Sequence, residues 1–340
     1  MRFFNCDCGQ TLYFDNTGCL ACGQAAGFDP EQLQLLSLTE EGNGSWRAAD
    51  GRAFRYCQNH AHFGVCNWLV AADSPALYCR SCELNQIVPQ VTEPDRCSSW
   101  HILEQAKRRL IYSLLQLGLP VQPRSRYANG LAFAFLEDQR INPQVQEEIV
   151  STGHGHGLIT INLAEADDVM RETMRVSMGE KYRTLLGHFR HESGHYFFDR
   201  LVSGTPWHQA FRELFGDDTL NYADALAHYY SGSVPSDLSG QFITDYAQSH
   251  PLEDWAECWA HYLHMMDGLE TAHALELLEQ PPLEVPFEEN LRRWPELTRI
   301  LNQLNRSLGL KDAYPFVLSD PVMRKLHLIH RVIDPSSPTT

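Results

Sequence analysis

The sequence predicts an α+β protein whose larger part is mostly helical with a small sheet, preceded by two small cysteine-rich modules. Three observations support this prediction. Nine of the ten cysteines lie before residue 100, two apolar segments follow that are rich in β-branched residues, and several segments beyond residue 180 show apolar residues at helical spacing. At 340 residues, the chain is long enough for two domains, one of them with a full hydrophobic core.

The eight cysteines of residues 1–92 fall into two sets of four. The sets are Cys6, Cys8, Cys19 and Cys22, and Cys57, Cys66, Cys79 and Cys82. Each set closes within a short stretch of chain and contains a C-x-x-C pair, which is typical of a structural zinc site with four thiolates. Few apolar residues are available for a core, so metal binding would supply the folding free energy of two small modules. Disulfide bonds and redox chemistry are the alternatives, and a reducing cytoplasm disfavours the disulfides.

Residues 93–334 are predicted to form the larger domain, and residues 335–340 a disordered tail. Apolar residues at helical spacing predict a first helix from Trp100 to Leu117. Its basic cluster, residues 107–109, is interpreted as a solvent-exposed face, with a binding site as the alternative. Two segments rich in apolar and β-branched residues predict strands, at 131–136 and 157–163.

The helix expected at residues 183–200 carries the sequence HESGH at 191–195, which is an HExxH motif. Residues four apart lie on one face of a helix, so His191 and His195 can bind a single zinc ion. Glu192 stands beside that ion, where its carboxylate can take a proton from water that the zinc has acidified. The predicted chemistry is hydrolysis of a peptide bond or a similar amide. A solvated, histidine-rich helix without metal is the alternative.

A catalytic zinc site typically has three protein ligands, and the segment from His250 to His264 offers the best candidates for the third. Pro251 suits the first turn of a helix, and apolar residues continue at helical spacing. Glu253 and Glu257 are four apart, so both carboxylates share one face. One can bind the metal while the other accepts a hydrogen bond from a ligating histidine. Spacing does not decide between them.

Two further features belong to the helical part. Asp199 follows His195 by four residues, and it is a candidate partner for that histidine, with a solvated surface carboxylate as the alternative. The clearest helix of the C-terminal region is predicted to run from Pro295, in its first turn, to Leu308.

An HExxH helix followed by a second helix with the pattern E-x-x-A-E resembles the gluzincin metallopeptidases. The chain is most similar to a bacterial family of zinc-binding metallopeptidases, in which a zinc-ribbon front is joined to such a domain. The likeness covers nearly the whole chain and is carried by four segments, at 66–70, 159–168, 183–200 and 250–264. The resemblance implies a zincin-like fold behind two zinc ribbons, with one catalytic and two structural zinc ions.

The resemblance also assigns roles to individual residues. By the order of the gluzincin motifs, Glu253 is implied to bind the metal and Glu257 to support the site from outside. Gluzincins of the lethal-factor type carry a tyrosine seven residues before the ligand glutamate, and Tyr246 holds that place here. Tyr246 is therefore implied to stabilise the oxyanion of the reaction, with Glu192 as the general base.

Composition limits the other classes to which the chain could belong. Hydrophobic residues make up 43% of the chain and charged residues 21%, as in an ordinary soluble globular protein. The sequence contains no run of about 18 apolar residues and no apolar core of a secretion signal, so we expect a cytoplasmic protein without a membrane span. A net charge of −16 argues against broad nucleic-acid binding, which requires positive charge against phosphates.

The sequence thus favours a zinc metallopeptidase that acts on a peptide or protein substrate. One rival hypothesis is a zinc-ribbon module that binds protein or nucleic acid, with the HExxH domain as an inactive scaffold. A second rival is a DNA-associated protease, because HExxH also occurs beside zinc-binding modules in crosslink-repair enzymes. The sequence leaves the oligomeric state open.

Overall fold

The structure, a computed structural model, describes residues 2–91, 94–140, 142–177, 184–233 and 240–334. The tail predicted at 335–340 lies outside the described residues. Helices and three small sheets occur together along the chain, which confirms the α+β class. Contacts between residues divide the chain into two compact units, of which the first ends at Met170 and the second begins at Arg171.

The first unit begins with a hairpin and a five-stranded sheet. Strands β1 (Phe4–Asn5) and β2 (Thr11–Leu12) pair in antiparallel fashion. The antiparallel sheet keeps its strands in chain order, as β3 (Ala25–Asp29), β4 (Gln34–Gly42), β5 (Ser45–Ala48), β6 (Ala53–Tyr56) and β7 (Leu69–Ala71). The short helix α1 (Gln58–Phe63) connects β6 to β7.

Aromatic side chains build a core here, so the expectation that this region has too few apolar residues for a core is wrong. The ring of Phe28 lies 4.9 Å from that of Phe14 and 4.8 Å from that of Trp68, centroid to centroid. Tyr112, from the long helix that follows, packs edge-on against Phe14 at 5.4 Å. Each aromatic ring buries a large area, so metal binding is not the sole source of folding free energy in this region.

The first unit also contains a long helix and a four-stranded sheet. Helix α2 (Pro94–Gln116) begins before the predicted start at Trp100. The sheet has the order β10-β11-β9-β8, with β8 (Asn85–Ile87), β9 (Ala132–Leu136), β10 (Gly153–Gly155) and β11 (Leu158–Asn162). Strand β9 is parallel to both β8 and β11, and the strands predicted at 131–136 and 157–163 are confirmed.

The basic cluster of α2 is buried at its first two residues, so the prediction of a solvent-exposed face is wrong for them. Lys107 is 0% exposed and Arg108 is 1% exposed. The Lys107 ammonium lies 2.9 Å from the carboxylate of Glu104, and the Arg108 guanidinium donates to the carbonyl oxygen of Val65. Buried charges are tolerated when they are paired and hydrogen-bonded, and residue spacing alone does not reveal these partners.

Helix α3 (Asp168–Ser177) leads from the first unit into the second, which is helical in its described residues. The helices that follow are α4 (Leu185–Leu201), α5 (Trp207–Phe215), α6 (Tyr222–His228), α7 (Pro251–Ala274), α8 (Phe287–Ser307) and α9 (Asp320–Ile333). Helix α7 contacts α4, α5, α8 and α9 and forms the centre of this unit. The predicted start of α8 at Pro295 is wrong, because the helix begins at Phe287, where two glutamates suit its first turn. Within the described ranges, no helix has both the length and the apolar character needed to cross a membrane.

Candidate metal centres

Helices α4 and α7 approach closely beside the HExxH motif. Gly194 of α4 faces the backbone of α7, where a Cβ atom at residue 194 would meet the Cα atom of Ala256 at 2.9 Å. The Trp255 indole donates a hydrogen bond of 2.9 Å to the carbonyl oxygen of Gly194. The Trp259 indole donates one of 3.1 Å to the hydroxyl of Ser193. A small residue and two buried indoles therefore fix the two helices against each other.

This contact brings His191, His195 and Glu253 together. The Nε2 atoms of the two histidines are 3.2 Å apart. Oε2 of Glu253 lies 3.0 Å from Nε2 of His191, and Oε1 lies 3.3 Å from Nε2 of His195. Donors about 2.0–2.1 Å from a zinc ion, at tetrahedral angles, are about 3.3 Å from one another. The three side chains thus fit three of the four positions around a tetrahedral zinc ion.

Glu257 contacts the other ring nitrogen of His191. Nδ1 of His191 donates a hydrogen bond of 2.6 Å to Oε1 of Glu257. Burial lowers the pKa of His191, but the hydrogen bonds and charges of Glu253 and Glu257 outweigh it and raise this pKa well above its ordinary value. Burial raises the pKa of Glu253, while the charge of His195 and the hydrogen bonds of both histidines lower it well below its ordinary value. Both glutamates therefore contact the ring of His191, Glu253 at Nε2 and Glu257 at Nδ1.

The remaining predicted residues of the site lie on α4 and directly before α7. Glu192 is almost fully buried. Tyr246 begins a 3₁₀ turn, Tyr246–Ser249, and its ring lies 6.0 Å from that of His191. Burial, and then the charge of Glu253, raise the pKa of the Tyr246 hydroxyl, which stays protonated as a donor at neutral pH. Asp199 is exposed on α4, one turn after His195.

Tyr222 is a residue of this site that the sequence motifs do not indicate. Its hydroxyl donates a hydrogen bond of 2.6 Å to Oε1 of Glu253. Its ring packs edge-on, at 5.2 Å, against His250, which caps the start of α7. Burial, and then the charge of Glu253, raise the pKa of the Tyr222 hydroxyl. The neighbouring Asn221 is a helix-capping residue, and that signal predicts the start of a helix rather than a functional site.

The eight cysteines of the first unit form the two predicted groups. The groups are Cys6, Cys8, Cys19 and Cys22, and Cys57, Cys66, Cys79 and Cys82, with the sulfur atoms of each group within 4.8 Å of one another. The Sγ atoms of Cys6 and Cys22 are 3.6 Å apart, and those of Cys66 and Cys79 are 3.7 Å apart. Sulfur ligands about 2.3 Å from a tetrahedral zinc ion are about 3.8 Å from one another. Both groups therefore fit zinc.

Backbone N–H groups lie near sulfur atoms of the second group. The N–H of Trp68 lies 3.4 Å from Sγ of Cys66, and the N–H of Cys79 lies 3.4 Å from Sγ of Cys57. In the first group, a hydrogen bond from the backbone of Cys8 lowers the pKa of Cys6 to about 6, whereas at Cys22 a backbone hydrogen bond from Gln24 is outweighed by burial and the neighbouring thiols, which raise the pKa of Cys22. In the second group all four cysteines are buried, and burial raises the pKa of Cys79. A bound cation would supply the positive charge that these buried thiolates need.

A buried ion pair supports the first turn of α7. Nζ of Lys325, on α9, lies 2.6 Å from Oδ2 of Asp254 and donates to the carbonyl oxygen of Gln241 at 2.7 Å. Burial raises the pKa of Asp254 to about 6, and the charge of Lys325 opposes this shift. The pair therefore ties α9 to the turn of α7 that carries Glu253.

Replacing Lys325 with methionine is expected to lower the free energy of unfolding by about 3 kcal/mol, because it leaves the Asp254 carboxyl buried without its cation. Lys311→Met is the matched control. Lys311 is 82% exposed and lies 3.5 Å from Glu172, and such surface pairs contribute less than about 1 kcal/mol. Urea denaturation of both variants checks the difference, and equal losses of stability would contradict the supporting role of the buried pair.

The fold and the three groups of donors define a zinc protein, with thiolate groups in the first unit and a histidine–carboxylate group in the second. Comparison with known families narrows this class. A family described as "Putative zinc-binding metallo-peptidase" matches residues 96–332, which is more than half of the chain, and a zinc-ribbon domain matches residues 3–93. The chain belongs to this family of zinc-binding metallopeptidases, and the resemblance seen in its motifs is confirmed.

Relatives are similar over almost their whole length. An uncharacterized protein of Mycobacterium bovis is 42% identical over 348 residues, which cover 99% of this chain and 97% of the relative. Uncharacterized proteins from two strains of Mycobacterium tuberculosis show the same identity and coverage. No solved structure matches this chain.

Proposed function

We propose that this protein is a gluzincin-type zinc metallopeptidase, which hydrolyses peptide bonds with a glutamate as general base. The observation that carries the proposal is the group of His191, His195 and Glu253, in which one ligand atom of each residue lies within 4.8 Å of the others and the two Nε2 atoms are 3.2 Å apart. Membership of a metallopeptidase family supports the class of reaction. The subtype is supported by the position of the glutamate, which comes from a second helix as in gluzincins.

A zinc ion held by these residues would supply a Lewis acid that acidifies water and polarises the scissile carbonyl. Glu192, next to His191 on α4, would take a proton from the attacking water and pass it to the leaving amine. Tyr246 would donate a hydrogen bond to the developing oxyanion. Glu257 would hold the ring of His191 in place through the Nδ1–H bond.

In the first unit, each group of four cysteines would hold one structural zinc ion, so that the loaded protein would contain one catalytic and two structural ions. Such thiolate sites persist in a reducing compartment, which supports a cytoplasmic location. The substrate is proposed to be a peptide or protein. Nucleic acid is a poor candidate, because a net charge of −16 repels phosphates.

Protein prepared with zinc under reducing conditions is expected to contain three zinc ions per chain and to cleave members of a mixed peptide library. Elemental analysis and mass spectrometry of the peptides check both points. A variant with His191→Ala and His195→Ala serves as control, and it should keep the two thiolate-bound ions and lose cleavage. Two zinc ions in the unaltered protein, without cleavage, would instead favour a zinc-ribbon binding module on an inactive scaffold.

A further inference from the structure

The hydroxyl of Tyr222 makes a short hydrogen bond to the third candidate metal ligand. It lies 2.6 Å from Oε1 of Glu253, a residue that is only 1% exposed. Hydrogen bonds to a buried, ionised carboxylate are stronger than those between neutral groups. Tyr222 as a whole is 43% exposed, so packing alone does not explain a tyrosine at this position. The ring contacts His250, and the hydroxyl adds the hydrogen bond that a phenylalanine could not make.

This hydrogen bond makes the two oxygens of Glu253 different. Oε2 lies 3.0 Å from Nε2 of His191, whereas Oε1 lies 3.3 Å from Nε2 of His195 and also accepts a hydrogen bond from the Tyr222 hydroxyl. The terminal torsion of a glutamate side chain is broad and nearly two-fold, so a carboxylate without such a partner could rotate between orientations. A fixed donor on one oxygen restricts that rotation and keeps the carboxylate facing the two histidines.

Helix α6 is held at the site through tyrosines. None of the residues of α6 is buried. Tyr229, directly after the helix, places its ring 5.9 Å from that of Tyr246. A helix of 7 residues is not stable by itself in water. The order of α6 therefore depends on contacts outside the helix, and the hydrogen bond from Tyr222 to Glu253 is one of them.

We propose that Tyr222 is a positioning residue, whose hydroxyl orients Glu253 for zinc and anchors α6 beside the metal site. This inference rests on the proposed function, because it takes Glu253 as a zinc ligand. Groups that hydrogen-bond to metal ligands typically contribute about 10–100-fold to metal affinity. Since the same hydroxyl also holds α6, zinc affinity and the order of this helix are coupled.

Tyr222→Phe tests the proposal, because it removes the hydroxyl and keeps the ring. In the full-length protein, we expect the dissociation constant of the zinc ion in the second unit to rise at least about 10-fold, as measured by competition with a chelator. The two thiolate sites should keep their zinc. Amide hydrogen exchange of residues 222–228 should be faster in the zinc-loaded variant than in the zinc-loaded unaltered protein.

Tyr127→Phe is the control, because it is the same chemical change at a residue of the first unit that is 47% exposed. This variant should change neither zinc affinity nor hydrogen exchange. An unaltered protein that binds no third zinc ion would refute the proposed function, and this inference with it. A third zinc ion that Tyr222→Phe binds as tightly as the unaltered protein would overturn the role of Tyr222 alone, whatever happens to hydrolysis.

Discussion

Glu192→Gln is expected to lower the rate of peptide hydrolysis at least about 10²-fold while the protein keeps its full zinc content. Glutamine has nearly the shape of glutamate, but it cannot accept the proton that the general base must take. Glu192 is buried on α4 next to His191, whose ring nitrogens contact Glu253 and Glu257 rather than Glu192. The substitution therefore removes the base and leaves the candidate ligands in place.

The values of kcat/KM on a cleaved peptide, together with zinc content, check this expectation. Glu296→Gln is the matched control, because Glu296 is exposed on α8 and the same chemical change there should leave both quantities unaltered. Full activity in a zinc-replete Glu192→Gln protein would contradict the general-base role. Loss of zinc together with activity would point to a role in metal binding.

Residue spacing predicts the parts of the sites that belong to one stretch of chain. His191 and His195 share a face of α4, and each group of four cysteines closes within a short segment. Glu253 depends instead on how α7 packs against α4, and the contacts of Gly194 and Trp255 that decide this packing join residues about sixty positions apart. The resemblance to gluzincins was therefore needed to choose between the two glutamates.

The features that spacing misses depend on distant partners. Lys107 looks solvent-exposed in the sequence, yet its neighbours Glu104 and Asn85 pair with it in the interior. Tyr222 reaches Glu253 from a short helix with no buried residue, so no apolar pattern marks it. The sequence predicts Pro295 at a helix start, but it lies inside α8, because local preference does not outweigh the tertiary context of the whole helix.

Glu253→Ala is expected to weaken zinc binding more than Glu257→Ala does. The reason is that the two carboxylates contact different nitrogens of His191. Glu253 lies 3.0 Å from Nε2, the nitrogen that also faces His195, whereas Glu257 accepts a hydrogen bond of 2.6 Å from Nδ1. Removing Glu253 takes away one of three protein ligands and should empty the site at modest chelator concentration. Removing Glu257 takes away a supporting hydrogen bond, so zinc affinity or activity should fall by about 10–100-fold while some metal remains.

Zinc occupancy of the two variants, titrated against the same chelator, separates a ligand from a supporting residue. The four-cysteine groups provide an internal standard, since both variants should retain the zinc bound there. The comparison does not depend on a known substrate, because both substitutions create the same side chain on the same face of α7, one helical turn apart. If Glu257→Ala loses the zinc of the second unit and Glu253→Ala keeps it, the roles of the two glutamates are the reverse of those proposed.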